Sequence, residues 1–131
     1  VIFSVDIRSG EEKKVQQAIN KVMALIESKN NSNVQSVAEQ LLHTTPKVMD
    51  KEVHSLLTEA CEKLDISYCQ ISSGAGHDAM IFSDYTACGM IFIPSRDGLS
   101  HCPEEWSDTK DLAKGATILY ETVLRLTEGT A

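Results

Sequence analysis

The 131-residue sequence has little positive charge and no long apolar segment. It contains 12 Lys and Arg against 19 Asp and Glu, and its formal net charge is −7. A basic stripe that neutralises nucleic-acid phosphates is therefore not expected. No apolar run approaches the roughly 20 residues that a membrane-spanning helix needs, and no signal-peptide pattern opens the chain. The sequence predicts a protein that binds neither nucleic acid nor membrane.

Cysteine is sparse and has no recognisable spacing. The four cysteines form no C-x-x-C pair and no zinc-finger pattern, and two lie in apolar contexts typical of buried free thiols. We therefore expect reduced thiols and a cytoplasmic protein. An initiator methionine is also lacking, since the chain opens on the strand-like VIFSVDIRSG. This opening indicates a piece cut from a longer protein.

Hydrophobic periodicity predicts an alternation of strands and helices, that is, an α/β protein. Apolar residues at every second position predict a half-buried strand over 1–7. Strands are also predicted over 66–71 and, as a continuous apolar run buried on both faces, over 89–94. Helices are predicted over about 11–29, after an N-terminal cap at Asp50, from His77 to about Phe82, and over about 108–126. The last helix is expected to bury Leu112, Ala116, Leu119, Val123 and Leu126.

One segment, VQSVAEQLLH at 34–43, is ambiguous. Its apolar residues fit a helical stripe, so periodicity by itself favours a helix, but nothing local decides between helix and strand. A connector at 44–50 follows it, where Pro46 favours extended backbone in the preceding residue.

Two clusters of residues are candidates for chemistry. In SGAGHDAM (73–80), glycines between a strand and a helix let backbone N–H groups approach an anion such as a substrate carboxylate. The alternative is a tight turn in which His77 and Asp78 cap the helix or bond to each other. In GLSHCPEEW (98–106), His101 follows a buried strand, where α/β sheets place ligands, and imidazole is a common zinc ligand. The alternative is a surface histidine on a polar loop.

A third candidate is Arg8, which shares a strand face with Asp6. Its guanidinium suits bidentate recognition of a carboxylate or a ureido oxygen. The alternative is a solvated polar strand face.

The order of FSVDIR, SGAGHDAM, GMIFIPSRDGLSHCPEEW and DLAKGATILYETVLRL resembles the C-terminal part of the hydantoinase/carbamoylase family. These dinuclear zinc amidohydrolases belong to the aminoacylase-like metallopeptidase superfamily and include N-carbamoyl-L-amino-acid, allantoate and ureidoglycolate amidohydrolases. The likeness runs from residue 1 to about 127. It implies hydrolysis of a linear amide or ureido C–N bond by metal-activated water, with two Zn²⁺ per active site, or Mn²⁺, Co²⁺ or Ni²⁺ in their place.

The resemblance also implies residue roles. His101 matches the last zinc ligand of the family, and Arg8 matches the arginine that grips the substrate carboxylate. The loop that contacts the substrate through its backbone matches Gly74, Ala75 and Gly76, with His77 in support. No catalytic residue falls in this chain, and the other ligands and the catalytic glutamate would lie in an N-terminal half. The chain alone is therefore expected to be inactive.

The resemblance implies an architecture of two parts. Residues 1–45 would form the second half of a ferredoxin-like lid domain, through which the protein would form a homodimer, with 34–43 as a strand. Residues 46–131 would supply the last strands and helices of the catalytic α/β domain. The rival interpretations are a related aminoacylase or dipeptidase, and a non-catalytic dimerising module.

Overall fold

The computed structural model describes residues 1–31 and 33–128. Four α-helices form the regular structure of this part of the chain: α1 (Glu12–Lys29), α2 (Lys51–Lys63), α3 (Asp78–Phe82) and α4 (Thr109–Glu128). A short 3-10 turn covers Arg96–Gly98. All four predicted helices are thus confirmed, each to within about two residues of its expected ends.

The chain divides into two compact units. The first comprises Val1–Val48 together with Ser72–Gly76, and the second comprises Met49–Ile71 together with His77–Ala131. The assignment of lid to 1–45 and catalytic domain to 46–131 concerns the role of each part, and it stays a prediction.

The first unit is built on α1. Val15 is buried, and Ala18, Ile19, Val22 and Ile26 are half-buried on the same side, as their helical spacing predicts. The helix begins one residue later than expected, because Glu11 occupies the cap position and Ser9 Oγ accepts a hydrogen bond from Glu11 N at 3.2 Å. At the other end of the unit, His43 Nε2 lies 3.0 Å from Glu12 Oε1.

The predicted strands are not formed among residues 1–31 and 33–128. Segments 1–7, 66–71 and 89–94 are non-helical, and no ladder of backbone hydrogen bonds joins them to a neighbour. The segment 34–43 is neither helix nor strand, so both expectations for it are wrong in this structure. A strand is stable only when its N–H and C=O groups pair with an adjacent strand, and local pattern alone cannot supply that partner.

The second unit has its core between α2 and α4. Ala60, Cys61 and Ile118 are buried together, and Leu57, Leu64, Ile66 and Ile91 pack against them. Asp50 caps α2 as predicted, since its Oδ1 accepts hydrogen bonds from Glu52 N at 2.9 Å and Val53 N at 3.0 Å. Burial raises the pKa of the Cys61 thiol, and all four cysteines are free.

The buried face of α4 differs from the predicted one. Ile118 and Thr122 are buried at 7% and 3% exposure, whereas Leu112, Leu119 and Val123 are about half exposed, at 52%, 55% and 47%. The helix carries apolar residues on more than one side, so its periodicity admits more than one stripe. Packing against α2 selects the stripe that contains Ile118, and the expected stripe faces away from this core.

An ion-pair cluster links the exposed edges of α2 and α4. Glu121 Oε1 accepts hydrogen bonds from Lys63 Nζ and from Arg125 Nε, the latter at 3.3 Å. Arg125 Nη1 also lies 2.7 Å from Glu59 Oε2. The hydrogen bond from Lys63 is the main reason that the pKa of Glu121 is lowered, and burial opposes it. The cluster therefore stabilises the helix pair while Glu121 is ionised and is weakened as the pH falls through the lowered pKa.

Candidate functional site

Arg8 is held by two acceptors within the first unit. Asp6 lies two residues earlier, and alternate residues of an extended chain share one face. Arg8 Nε lies 3.0 Å from both carboxylate oxygens of Asp6, and Nη2 lies 2.6 Å from Oδ2. Nη1 donates to the carbonyl oxygen of Gly74 at 2.9 Å. The structure thus brings together two of the sequence-predicted positions, Arg8 and Gly74, which lie 66 residues apart in the chain.

The Arg8–Asp6 pair is open to solvent. The two side chains are 60% and 65% exposed. Their hydrogen bond is the main reason that the pKa of Asp6 is lowered and that the pKa of Arg8 is raised, with their mutual charge attraction acting in the same direction. Both groups are therefore ionised at neutral pH, and the guanidinium is accessible to a dissolved anion.

The glycine-rich segment leaves open space beside its backbone. A Cβ added at Gly74 or at Gly76 would meet nothing within 4 Å. The Ala75 N–H donates to Ser73 Oγ at 3.1 Å, and the Gly74 carbonyl oxygen accepts a hydrogen bond from Arg8. A ligand therefore has room to approach the backbone closely, although the Ala75 N–H is already bonded within the loop.

His77 is the first residue of the second segment of the second unit, and it precedes α3. It occupies the cap position of that helix but makes no side-chain capping bond there. Its ring packs edge-on against Phe92, with 5.5 Å between ring centroids and 62° between planes. The capping role that was the alternative for His77 is therefore not observed, and its contact with Phe92 supports a packing role.

His101 lies near the tip of a loop that is closed at its base. Arg96 N donates to the Trp106 carbonyl at 2.7 Å, and the Arg96 guanidinium carbon lies 5.6 Å from the centre of the Trp106 ring. Within the loop, His101 N donates to Glu105 Oε2 at 2.7 Å. His101 itself is exposed and has a φ of +58°, a left-handed conformation that is uncommon for residues other than glycine. Such strain is frequent at functional positions.

The described residues do not form a metal centre by themselves. No group of three or more His, Cys, Asp or Glu side chains in 1–31 and 33–128 is arranged to hold an ion. A zinc site needs at least three protein ligands, and His101 could supply at most one of them. The half-buried Cys102 beside it does not complete a set. The residues of 1–31 and 33–128 therefore do not by themselves provide the ligands that the predicted zinc pair needs.

The contacts of Asp6 and Glu105 were not predicted. The sequence places Asp6 on the same strand face as Arg8, and this spacing of two residues is the signal that would predict an ion pair. Glu105 Oε2 accepts a hydrogen bond from the His101 backbone N–H, a contact that the sequence did not predict. The link from Arg8 to Gly74 left no signal in the sequence, because it joins distant segments through a backbone carbonyl.

No helix in the described part of the chain is long and apolar enough to span a bilayer.

Comparison with known proteins gives a consistent picture. The chain is 35% identical over 127 residues to the N-carbamoyl-L-amino-acid amidohydrolase of Paenarthrobacter aurescens, which covers 96% of this chain and 31% of that enzyme. It is 47% identical over 80 residues to the allantoate amidohydrolase of Escherichia coli, covering 58% of this chain and 20% of the relative. The chain thus spans about a third or less of these relatives.

A solved structure and a family model agree with these relatives. The crystal structure of AtUAH, a ureidoglycolate hydrolase, in complex with glyoxylate matches with a TM-score of 0.65 at 32% identity. The match covers 87% of this chain and 26% of that one, and it shows that the chain has the fold of the corresponding part. The sequence model described as Peptidase family M20/M25/M40 matches residues 5–125. This chain is therefore a member of Peptidase family M20/M25/M40.

Proposed function

We propose that this chain is the C-terminal part of a metal-dependent amidohydrolase. The intact protein would hydrolyse a linear ureido or amide C–N bond in a small carboxylate substrate. The relatives are an N-carbamoyl-L-amino-acid amidohydrolase, an allantoate amidohydrolase and a ureidoglycolate hydrolase, and each name describes attack on such a bond. Substrates of this kind carry a carboxylate some distance from the bond that is cleaved.

The observation that carries the proposal is the Arg8 guanidinium beside the glycine-rich segment. It is exposed, permanently charged and tied to the Gly74 carbonyl at 2.9 Å. A guanidinium recognises a carboxylate through two parallel N–H···O bonds, which an ammonium group does not reproduce. Arg8 would therefore bind the carboxylate, while the open backbone at Gly74–Gly76 would let the substrate lie against the loop.

We propose that His101 contributes one ligand to a metal site whose other ligands lie outside this chain. The loop between Arg96 and Trp106 supports this role, because it is closed at its base and His101 is exposed on it. When bound, zinc would supply an activated water. Mn²⁺, Co²⁺ and Ni²⁺ are alternative ions at this site.

We also propose that the intact protein is a homodimer.

Two other functions remain as alternatives. A related aminoacylase or dipeptidase would act on an acyl amino acid or a dipeptide. A non-catalytic dimerising module would act on neither. Ammonia release separates the proposed function from both alternatives, since a ureido group and one water yield ammonia, carbon dioxide and an amine. Cleavage of an acyl amino acid or a dipeptide then separates the two alternatives from each other.

The test is a substrate panel with the intact protein loaded with zinc. The panel contains an N-carbamoyl-L-amino acid, allantoate, ureidoglycolate, an N-acetyl amino acid and a dipeptide. We expect ammonia release from at least one ureido compound and none without metal. Cleavage of the N-acetyl amino acid or dipeptide only would replace the proposal with the aminoacylase alternative. No turnover of any compound, with metal bound, would favour the dimerising module.

A further inference from the structure

Three of the five N–H donors of Arg8 have acceptors in the described part of the chain. A guanidinium carries one donor on Nε and two on each terminal nitrogen. Asp6 accepts from Nε and Nη2, and the Gly74 carbonyl accepts from Nη1. In the described part of the chain, these partners leave one N–H on each terminal nitrogen. A carboxylate has two oxygens, so it can accept one bond from each.

The two acceptors fix the guanidinium from different directions. Asp6 holds one edge through three contacts of 3.0, 3.0 and 2.6 Å, and the Gly74 carbonyl holds the other terminal nitrogen. An exposed arginine otherwise samples many rotamers, and binding a ligand would cost the entropy of ordering it. With the guanidinium already ordered, a carboxylate meets two donors in place.

We propose that Asp6 is the positioning residue for the substrate carboxylate: it orients Arg8 so that its two remaining terminal N–H groups bind that carboxylate. This inference rests on the proposed function, since it takes Arg8 as the carboxylate-binding residue. Asp6 does not touch the substrate. Its contribution is to the affinity for a carboxylate and not to the chemical step.

In the opposite role, Asp6 would compete with the substrate carboxylate for the Arg8 guanidinium. A carboxylate beside the guanidinium resembles a bound substrate anion, and Asp6 would then have to leave before the substrate binds. The spare donors on both terminal nitrogens argue against this, because a second carboxylate can bind while Asp6 remains in place.

The experiment compares Asp6→Asn, Asp6→Glu, Arg8→Lys and the double variant Asp6→Asn/Arg8→Lys in the intact protein. The amide of Asn carries no charge and presents one oxygen in place of two. For the preferred ureido substrate, we expect Asp6→Asn to raise KM on the order of tenfold with kcat little changed. Asp6→Glu, which keeps the carboxylate, should recover part of the loss. The KM of the double variant should be no higher than that of Arg8→Lys, because the two substitutions disrupt the same interaction.

The substrate's carboxamide counterpart, measured as a competitive inhibitor, is the matched control. It offers no carboxylate, so its inhibition constant should be the same in the parent and in Asp6→Asn. Equal losses for carboxylate and carboxamide would mean a general structural role and would overturn the proposal. An unchanged or lowered KM in Asp6→Asn would do the same, and a lowered one would identify Asp6 as a competitor.

Failure of the proposed function would look different. If Arg8→Lys leaves KM unchanged, Arg8 is not at the substrate carboxylate, whatever Asp6→Asn does. If the parent hydrolyses no ureido compound, calorimetric binding of a free amino acid to the parent and to Asp6→Asn replaces KM as the measurement. Weaker binding to Asp6→Asn would then support the proposal, and equal binding would overturn it.

Discussion

Two exposed residues of a single loop in the second unit, His101 and Asp97, share a backbone conformation that is unusual for residues other than glycine. Their φ angles are +58° and +56°, and both lie in the loop between Arg96 and Trp106. Asp and His tolerate this conformation better than most residues, but it still costs free energy. The two residues therefore form a natural pair for separating the role of a side chain from the role of the backbone.

We expect His101→Ala in the intact protein to abolish turnover and to lower bound zinc. The imidazole is exposed on a loop, so the fold should be largely retained. Loss of partners that merely orient metal ligands costs 10–100-fold, so loss of a ligand should lower kcat/KM by at least about 100-fold. Bound metal is measured by atomic absorption and activity by ammonia release.

Asp97→Ala is the matched control, because it changes an exposed residue of the same loop with the same backbone conformation. It should retain zinc and most of the activity. If His101→Ala also retains both, His101 is a surface histidine. If the two variants lose metal equally, the effect belongs to the loop backbone.

At the scale of elements, the second unit depends on close approach at Gly89. A Cβ added there would lie 2.6 Å from Val53 Cγ1 and 3.2 Å from Leu57 Cδ1, both on α2. The segment that follows Gly89 includes Ile91, which packs against the core of Ala60, Cys61 and Ile118. The absence of a side chain at Gly89 therefore lets this segment lie directly on α2.

We expect Gly89→Ala to lower the free energy of unfolding by about 1–3 kcal/mol, which is typical of overpacking. This loss should exceed the gain of about 0.4–1 kcal/mol that a Gly→Ala change brings by restricting the unfolded chain. Urea unfolding of the intact protein, followed by circular dichroism, measures the difference.

Two variants control this experiment. Gly76→Ala introduces the same methyl group where nothing lies within 4 Å, so it should not destabilise the protein. Val53→Ala in the Gly89→Ala background removes the closest methyl group, Val53 Cγ1, and should recover part of the lost stability. The contact with Val53 is not the reason for a glycine at position 89 if Gly89→Ala leaves the free energy of unfolding unchanged. The same holds if the losses from Gly89→Ala and Val53→Ala simply add in the double variant.

At the scale of the whole molecule, the chain buries few side chains. Within residues 1–31 and 33–128, Val15, Ala60, Cys61, Ile118 and Thr122 are the buried ones. Large apolar residues such as Phe3, Leu112 and Leu119 are more than half exposed. The relatives are about three times longer, with this chain covering 31% of one and 32% of another. If the chain is the C-terminal part of an amidohydrolase, as we propose, the rest of that protein would cover these surfaces and supply the other metal ligands.

We therefore expect the purified 131-residue chain to bind no stoichiometric zinc pair and to hydrolyse no ureido compound. The physical reason is that the described residues contain no group of three candidate ligands. Atomic absorption after dialysis against zinc, and ammonia release with the same substrate panel, are the measurements. The intact protein treated in parallel is the control. Two tightly held zinc ions in the isolated chain would contradict this expectation.

Sequence pattern was most informative where the causes of structure are local. The start of α2 follows from the capping carboxylate of Asp50, and the positions of α1 and of the short helix after His77 follow from sequence pattern within a few residues. The order of motifs around Arg8, 73–80 and 98–106 was sufficient to identify the family, because these segments are short and chemically distinctive. Their roles as substrate and metal contacts stay predictions.

Tertiary structure decided what depends on a partner distant in the chain. The buried stripe of α4 was selected by α2, because apolar residues on several sides of α4 left the choice open. The strands predicted over 1–7 and 89–94 are absent from the described residues, since a strand requires hydrogen bonds from a neighbour that local sequence does not supply. The carbonyl of Gly74 became a partner of Arg8 in the same way. Local sequence determined which residues carry charge, capping groups and helical periodicity; packing and long-range hydrogen bonding determined which of them meet.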